Sequence, residues 1–304
     1  MKTTHPLHVG HHNSLRRNSF KFTWDYPSII RIESQRQSPP SRPCALTIAG
    51  SDSSGGAGIQ ADLRVFAALG VHGTCAITSV TAQGLGGVVS SESLCPEIVG
   101  EQIDTVLRTF PIGAIKTGML ATVEIVERVV ECIRRSPGVP WVCDPLFRAS
   151  SGATLLEDSG FDHLRNALHL ATLTTPNVSE ASRLTGVEID SMESMRSAGL
   201  IFVQRFGGAV LIKGGHAHWN SEAVDVLVTA QGTREVRAAR VGQRDVHGTG
   251  CALSAAIAAR LSHGDALDAS IDCAKGILWK GIQNAYSIAG SPHLALALDS
   301  PPLV

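Results

Sequence analysis

"CALTIAGSDSSGGAGIQADLRVFAALG", residues 44–70, decides the fold. Residues 44–50 are a short apolar run ending in glycine, the pattern of a buried strand. Residues 59–70 carry apolar side chains at helical spacing and close on Gly70. A polar, glycine-rich loop turns one into the other. The same unit recurs downstream. "CAITSVTAQ", "IGAIKTGML", "VPWVCDP", "ATLTTPN" and "AVLIKGG" read as strands. "PEIVGEQIDTVLRTF", "VEIVERVVECIRRS", "FDHLRNALHL", "SEASRLTG" and "SMRSAGLIFVQRFG" read as helices. "EAVDVLVTA" and "TREVRAARV" predict a hairpin turning near residues 229–233. Helices at 249–262 and about 266–286 follow. Such alternation implies an α/β protein with a mostly parallel central sheet and helices on both faces.

Composition agrees with this. Of 304 residues, 43% are hydrophobic and only 5% aromatic, with 30 glycines for tight strand-to-helix turns. The net charge of −1 gives no ground for a nucleic-acid partner. No apolar run reaches the ~18 residues of a membrane span. Seven cysteines without a CxxC pair suggest reduced thiols in a cytoplasmic compartment, not a disulfide framework or zinc site. Residues 1–43 differ, with four histidines in the first twelve positions and seven Lys or Arg against two Asp or Glu. They read as a disordered or targeting extension, an organellar transit peptide being the alternative to a cytoplasmic location. Residues 44–304 read as one domain.

Two glycine turns carry the chemistry. In the first, Gly56, Gly58 and Ala61 fit the G-x-G-x-x-A form of a dinucleotide fingerprint. No Asp or Glu lies between Asp62 and Glu92, where the ribose-binding acid is needed, which weighs strongly against NAD. No GK[ST] follows the glycines, so it is not a P-loop. The loop instead sets backbone amides and Asp52 beside a small ligand. Asp62 is read either as a favourable charge near a helix N-terminus or as a ligand contact.

The second turn lies in "RDVHGTGCALSAAIAARLSHG", residues 244–264. Gly248 and Gly250 let successive N–H groups converge, and the helix starting near Thr249 adds unpaired donors and dipole charge. Together these make an anion site. Cys251 lies in the same field, which predicts a lowered thiol pKa. His247 is a nearby acid or base, or a cap.

Taken in order, "AGSDSSGGAGIQADL", "TAQG", "KTGML", "DP…SSG", "TPNVSEA", "IKGGH" and "HGTGC" resemble the hydroxymethylpyrimidine/phosphomethylpyrimidine kinases of thiamine biosynthesis, in the ribokinase-like superfamily. The resemblance covers residues 45–286. It implies a ribokinase-like three-layer sandwich, ATP and Mg²⁺ as cofactors, and a homodimer. It implies ATP-dependent phosphorylation of 4-amino-5-hydroxymethyl-2-methylpyrimidine, then of its monophosphate to the diphosphate. Cys251 stands where other ribokinase-like enzymes carry an aspartate base, and accepts or orients the hydroxyl proton. Gly248, Thr249 and Gly250 would stabilise the transferring phosphoryl group.

By the same resemblance Gln83 and Met119 line the pyrimidine, together with Gly50, Asp52, Ala57 and Asp62. A carboxamide such as that of Gln83 complements an amino group beside a ring nitrogen. Lys213, Asn177, Glu180 and His247 are placed at the nucleotide, and Asp144 with Glu180 at the metal. Three features depart from the family pattern: Ser150 where relatives often have lysine, Ala153 where they often have an acid, and a tail, residues 287–304, without the glycine-proline segment that often closes these enzymes. Two rivals stay open: a pyridoxine or pyridoxal kinase on the same scaffold, and a pyrimidine-sensing domain without catalysis. Residues 1–43 show no helix-turn-helix pattern that would support the second.

Overall fold

The computed structural model describes residues 41–84, 87–148, 152, 154–215, 217, 219, 221–242, 246–288 and 294–298. Its first unit is β1 (Cys44–Asp52), α1 (Gly58–Ala68) and β2 (His72–Gly84). β3 (Gly87–Ser93) folds back on β2. Then come α2 (Pro96–Thr109), β4 (Ile112–Thr117), α3 (Val123–Arg134), β5 (Trp141–Cys143) and α4 (Asp158–Ala167). After these, β6 (Leu173–Thr174), α5 (Val178–Thr185), α6 (Met192–Phe206) and β7 (Ala209–Ile212) continue the alternation. The expected hairpin is β8 (Glu222–Thr229) with β9 (Gly232–Ala239). β10 (Val246–His247), α7 (Thr249–Ser262), α8 (Leu267–Gln283), β11 (Tyr286–Ser287) and β12 (Leu294–Ala295) follow.

The main sheet has nine strands in the order β3-β2-β1-β4-β5-β6-β7-β8-β9. The six from β2 to β7 are parallel, and β3, β8 and β9 are antiparallel. β1 is buried along nearly its whole length because helices cover both its faces, which is why it reads as a continuous apolar run. On one face α2 to α6 contribute Val99, Ile103, Ile125, Phe161 and Phe202 to the core. On the other, α1, α7 and α8 contribute Val65, Phe66, Ile257 and Ile271. α7 is buried from Cys251 to Ala259, and its alanines let the helix lie close to the sheet.

Strand order reverses between β1 and β4. The chain crosses from β1 to β2 on one side, and later strands extend the other. Open parallel sheets bind ligands at such a point, beyond the carboxyl ends of the strands. A register shift in β1 between Ala49 and Ser51 sets Gly50 in a bulge there.

Candidate active site

The first glycine loop is shaped by Asp52, which is buried. Its Oδ1 accepts from the Ser54 N–H (2.8 Å) and Ser54 Oγ (2.8 Å), and its Oδ2 accepts from the Ala57 N–H (2.7 Å). Asp52 and Ala57 therefore spend these groups on each other, where sequence reasoning had set both against a ligand. Gly58 has φ +56°, and a Cβ there would sit 2.4 Å from the Gly50 carbonyl oxygen. A Cβ on Gly50 would lie 2.9 Å from Met119 Sδ, so these two expected ring contacts are neighbours.

Gln83, at the end of β2, joins the same loop. Its backbone N–H donates to Ser53 Oγ (2.8 Å), and the Ser53 hydroxyl donates to its carbonyl (2.7 Å). Its carboxamide reaches His247 Nε2 at 3.3 Å. His247 Nε2 also lies 3.9 Å from Asp52 Oδ2. The side-chain partners of His247 thus come from the first glycine loop and the end of β2.

The second turn packs directly on the first. Gly248 has φ +80°, and a Cβ there would lie 1.9 Å from the Gly56 carbonyl oxygen. Gly248 is the N-cap of α7 and offers no side-chain cap, which leaves the first-turn N–H groups without a capping side chain. Lys213, just past β7, has its ammonium 3.5 Å from where a Gly250 Cβ would be. The same ammonium donates to Asp144 Oδ1 (2.8 Å). Asp144 also accepts from Ser254 of α7 (3.2 Å) and from Thr175 (3.3 Å). Burial alone would pull Lys213 down, but Asp144, Glu180 and Cys251 hold it above the ordinary lysine value.

Asn177 and Glu180 form a capping box at the start of α5. Asn177 Oδ1 accepts from the Glu180 N–H (2.9 Å), and Glu180 Oε2 accepts from the Asn177 N–H (2.7 Å). Burial pushes the Glu180 carboxyl up to about 7, Lys213 pulls it back, and Asp144 adds repulsion.

Two expectations need correction. Cys251 is buried, and burial pushes its thiol up to about 11 instead of lowering it. Lys116 and the Gly58 N–H on the sulfur act in the other direction, while Asp62 and Asp144 add to the rise. Asp62 neither serves the helix N-terminus nor faces a ligand. It forms an ion pair with Lys116 of β4 at 2.7 Å, with both side chains 0% exposed, and accepts from Thr47 Oγ1 (2.6 Å). Burial pushes Asp62 up and Lys116 pulls it back. Burial would lower Lys116, but Asp62, Cys251 and Asp144 hold it well above the ordinary value. The 2.7 Å contact therefore offsets, for both groups, the cost of burying charge. Lys116 is the residue sequence reasoning missed. Its signal was a lysine inside the apolar run "IGAIKTGML", where a buried charge needs a partner.

A family model for phosphomethylpyrimidine kinase matches residues 52–294. The chain belongs to the phosphomethylpyrimidine kinase family. The hydroxymethylpyrimidine/phosphomethylpyrimidine kinase of Staphylococcus aureus is 39% identical over 241 residues, covering 79% of this chain and 87% of that one. The solved phosphomethylpyrimidine kinase of Clostridium difficile superposes with a TM-score of 0.71 at 36% identity, covering 79% of this chain and all of that one. The Staphylococcus aureus pyridoxal kinase in complex with AMP-PCP and pyridoxal superposes with a TM-score of 0.77 at 30% identity, covering 86% and 95%. The ribokinase-like three-layer architecture follows from these likenesses and the sheet order.

Asp144 and Glu180 repel each other electrostatically, and each interacts with Lys213. Among the described residues no three His, Cys, Asp or Glu side chains group as a metal site. No described helix is long and apolar enough to cross a membrane. All seven cysteines are free thiols. Surface hollows of about 420 Å³ between β9 and α8, and about 610 Å³ beside Asp104 and Arg135, hold none of these site residues. Ser150 and Ala153 lie outside the described residues.

Proposed function

We propose that this chain transfers the terminal phosphoryl group of ATP to the hydroxymethyl group of 4-amino-5-hydroxymethyl-2-methylpyrimidine. It then phosphorylates the monophosphate to the diphosphate, in thiamine diphosphate biosynthesis. The observation that carries this is the contact of Gly248 with Gly56, which sets the anion turn against the acceptor loop. Gln83, Met119 and Gly50 hold the ring. The N–H groups of Thr249, Gly250 and Cys251, with the field of α7, take up charge on the moving phosphoryl group. Lys213 adds a positive charge at the same turn.

The substrate hydroxyl oxygen bonds to the γ-phosphorus as the bond to ADP breaks. Phosphoryl transfer has a loose transition state and asks more for positioning than for a strong base. Cys251, resting as a thiol, accepts a hydrogen bond from the hydroxyl and orients it. The proton leaves the hydroxyl late, once the oxygen has bonded to phosphorus, and passes to an oxygen of the transferred phosphoryl group and from there to water.

Asp144 and Glu180 suit Mg²⁺ held largely through water and phosphate oxygens, the habit of this ion in kinases. Their mutual repulsion, part of what raises Glu180, is what a cation relieves. When bound, Mg²⁺ neutralises charge on the nucleotide phosphates.

A second reading, pyridoxal kinase, is supported by the likeness to that enzyme. ADP release measured with hydroxymethylpyrimidine, its monophosphate and pyridoxal separates the two. A higher kcat/KM for pyridoxal would overturn the substrate assignment. We further assign residues 44–304 as the kinase domain, in a cytoplasmic homodimer. Light scattering, cell fractionation and activity of a chain lacking residues 1–40 test these assignments.

A further inference from the structure

We propose that His247 is a positioning residue that sets which way the Gln83 carboxamide faces, and so which ring edge the site accepts. This rests on the reading of Gln83 as the pyrimidine contact.

Ser53 clamps both backbone groups of Gln83, so the freedom left lies in its carboxamide. One end of a carboxamide only accepts and the other only donates, while their shapes are nearly equal. Gln83 Oε1 lies 3.3 Å from Thr81 Oγ1, and Nε2 lies 3.3 Å from His247 Nε2. An amide NH₂ cannot accept, so in this setting His247 Nε2 is bare and its ring proton is on Nδ1.

The opposite setting is equally well bonded. Thr81 has one hydroxyl proton and two acceptors in reach, Ser51 O at 2.9 Å and Gln83 Oε1 at 3.3 Å. If His247 Nε2 carries a proton, the carboxamide turns over. Oε1 then faces His247, Nε2 donates to Thr81 Oγ1, and the Thr81 proton goes to Ser51 O. Thr81 satisfies either arrangement, so the choice falls to His247. The imidazole packs against Gly56, where a Cβ would lie 2.7 Å from its Cδ2. The charged group facing it is Asp52, whose Oδ2 is already bonded to the Ala57 N–H.

Each end of the carboxamide keeps one further bonding position for a ligand. Together they present an acceptor beside a donor, in an order that the setting fixes. An aminopyrimidine offers an exocyclic N–H beside a bare ring nitrogen and matches one order only. In the other order the ring must turn over, which carries its hydroxymethyl group away from Cys251. A ring without an amino group beside a ring nitrogen gains nothing from either setting.

The test is a cycle of His247→Ala, Gln83→Ala and the double variant in the full-length chain, with hydroxymethylpyrimidine, pyridoxal and ATP as varied substrates. His247→Ala should lower kcat/KM for hydroxymethylpyrimidine roughly tenfold, with part of the loss in kcat because a turned-over ring binds unproductively. KM for ATP and for pyridoxal should stay within about twofold. In the Gln83→Ala background, His247→Ala should add less than about twofold. His247→Asn, which offers an acceptor oxygen, should recover part of the loss. As a readout without turnover, the ¹⁵N shift of His247 Nε2 should be that of an unprotonated ring nitrogen and should move in Gln83→Ala. A raised KM for ATP in His247→Ala, or full additivity with Gln83→Ala, overturns the inference. An unchanged pyrimidine KM in Gln83→Ala would instead sink the underlying reading of Gln83, and the inference with it.

Discussion

Lys116→Met removes the ammonium from a pair that water does not reach. The contact is 2.7 Å, and both side chains are fully buried. What remains is Asp62, with one oxygen on Thr47 and the other, Oδ1, buried without a partner. Breaking one side of such a pair costs about 3–5 kcal/mol, because the surviving charge is left uncompensated. At ~2–4 °C per kcal/mol for a domain of this size, the melting temperature should fall by roughly 6–20 °C. The loss should depend on pH. Burial already pushes Asp62 up, and losing Lys116 pushes it further. A carboxyl whose folded pKa lies above its unfolded value gives its full contribution below the unfolded value and loses it as pH rises through the folded one. The deficit should therefore be small in acid and largest in alkali. Urea unfolding at pH 5 and pH 8 measures it. Replacing the pair with Asp62→Leu and Lys116→Met together should recover most of the loss, since buried pairs exchange for apolar ones at little cost. A single-variant loss below about 1 kcal/mol at pH 8, or a double variant no more stable than the single, would refute the reasoning.

Cys251→Ala should lower kcat by about 10²-fold and leave KM for ATP nearly unchanged, if the sulfur orients the hydroxyl; unchanged turnover removes it from the chemistry. Alkylation of Cys251 by iodoacetamide should be slow at neutral pH and climb toward a midpoint near 11; rapid labelling at pH 7 contradicts that environment. Gly248→Ala puts a methyl group 1.9 Å from the Gly56 oxygen in a left-handed conformation, so it should abolish ADP release and lower the melting temperature. A Gly248→Ala enzyme with normal kcat/KM would show that the two turns need not touch.

Much of the scaffold was legible because β1 and α1 obey their own periodicities and meet at glycines. β3 was not legible. "GVVSSES" has three serines among seven residues, is mostly exposed, and is the edge strand of the sheet, paired with β2. β6 is regular only over Leu173–Thr174, although the Thr175 N–H still donates to the Cys143 carbonyl (2.9 Å) and Asn177 bridges to Lys213. At the site, local reasoning could place Gly248, Cys251 and Asp62 at helix starts. It could not see what comes from across the fold. Lys116 claims Asp62, and burial outweighs the helix field at Cys251. His247 stands beside Gly248 in the chain, yet its partners come from β1 and β2.

The junction of Gly56 and Gly248 is main chain against main chain. No rotamer stands between the two loops, so the gap across which a phosphoryl group must jump acts as a hard stop built into the scaffold. Side chains that grip the acceptor ring can then be exchanged without resetting that reach. One such frame could thus serve vitamin precursors of quite different outline while the span of the transfer stays the same.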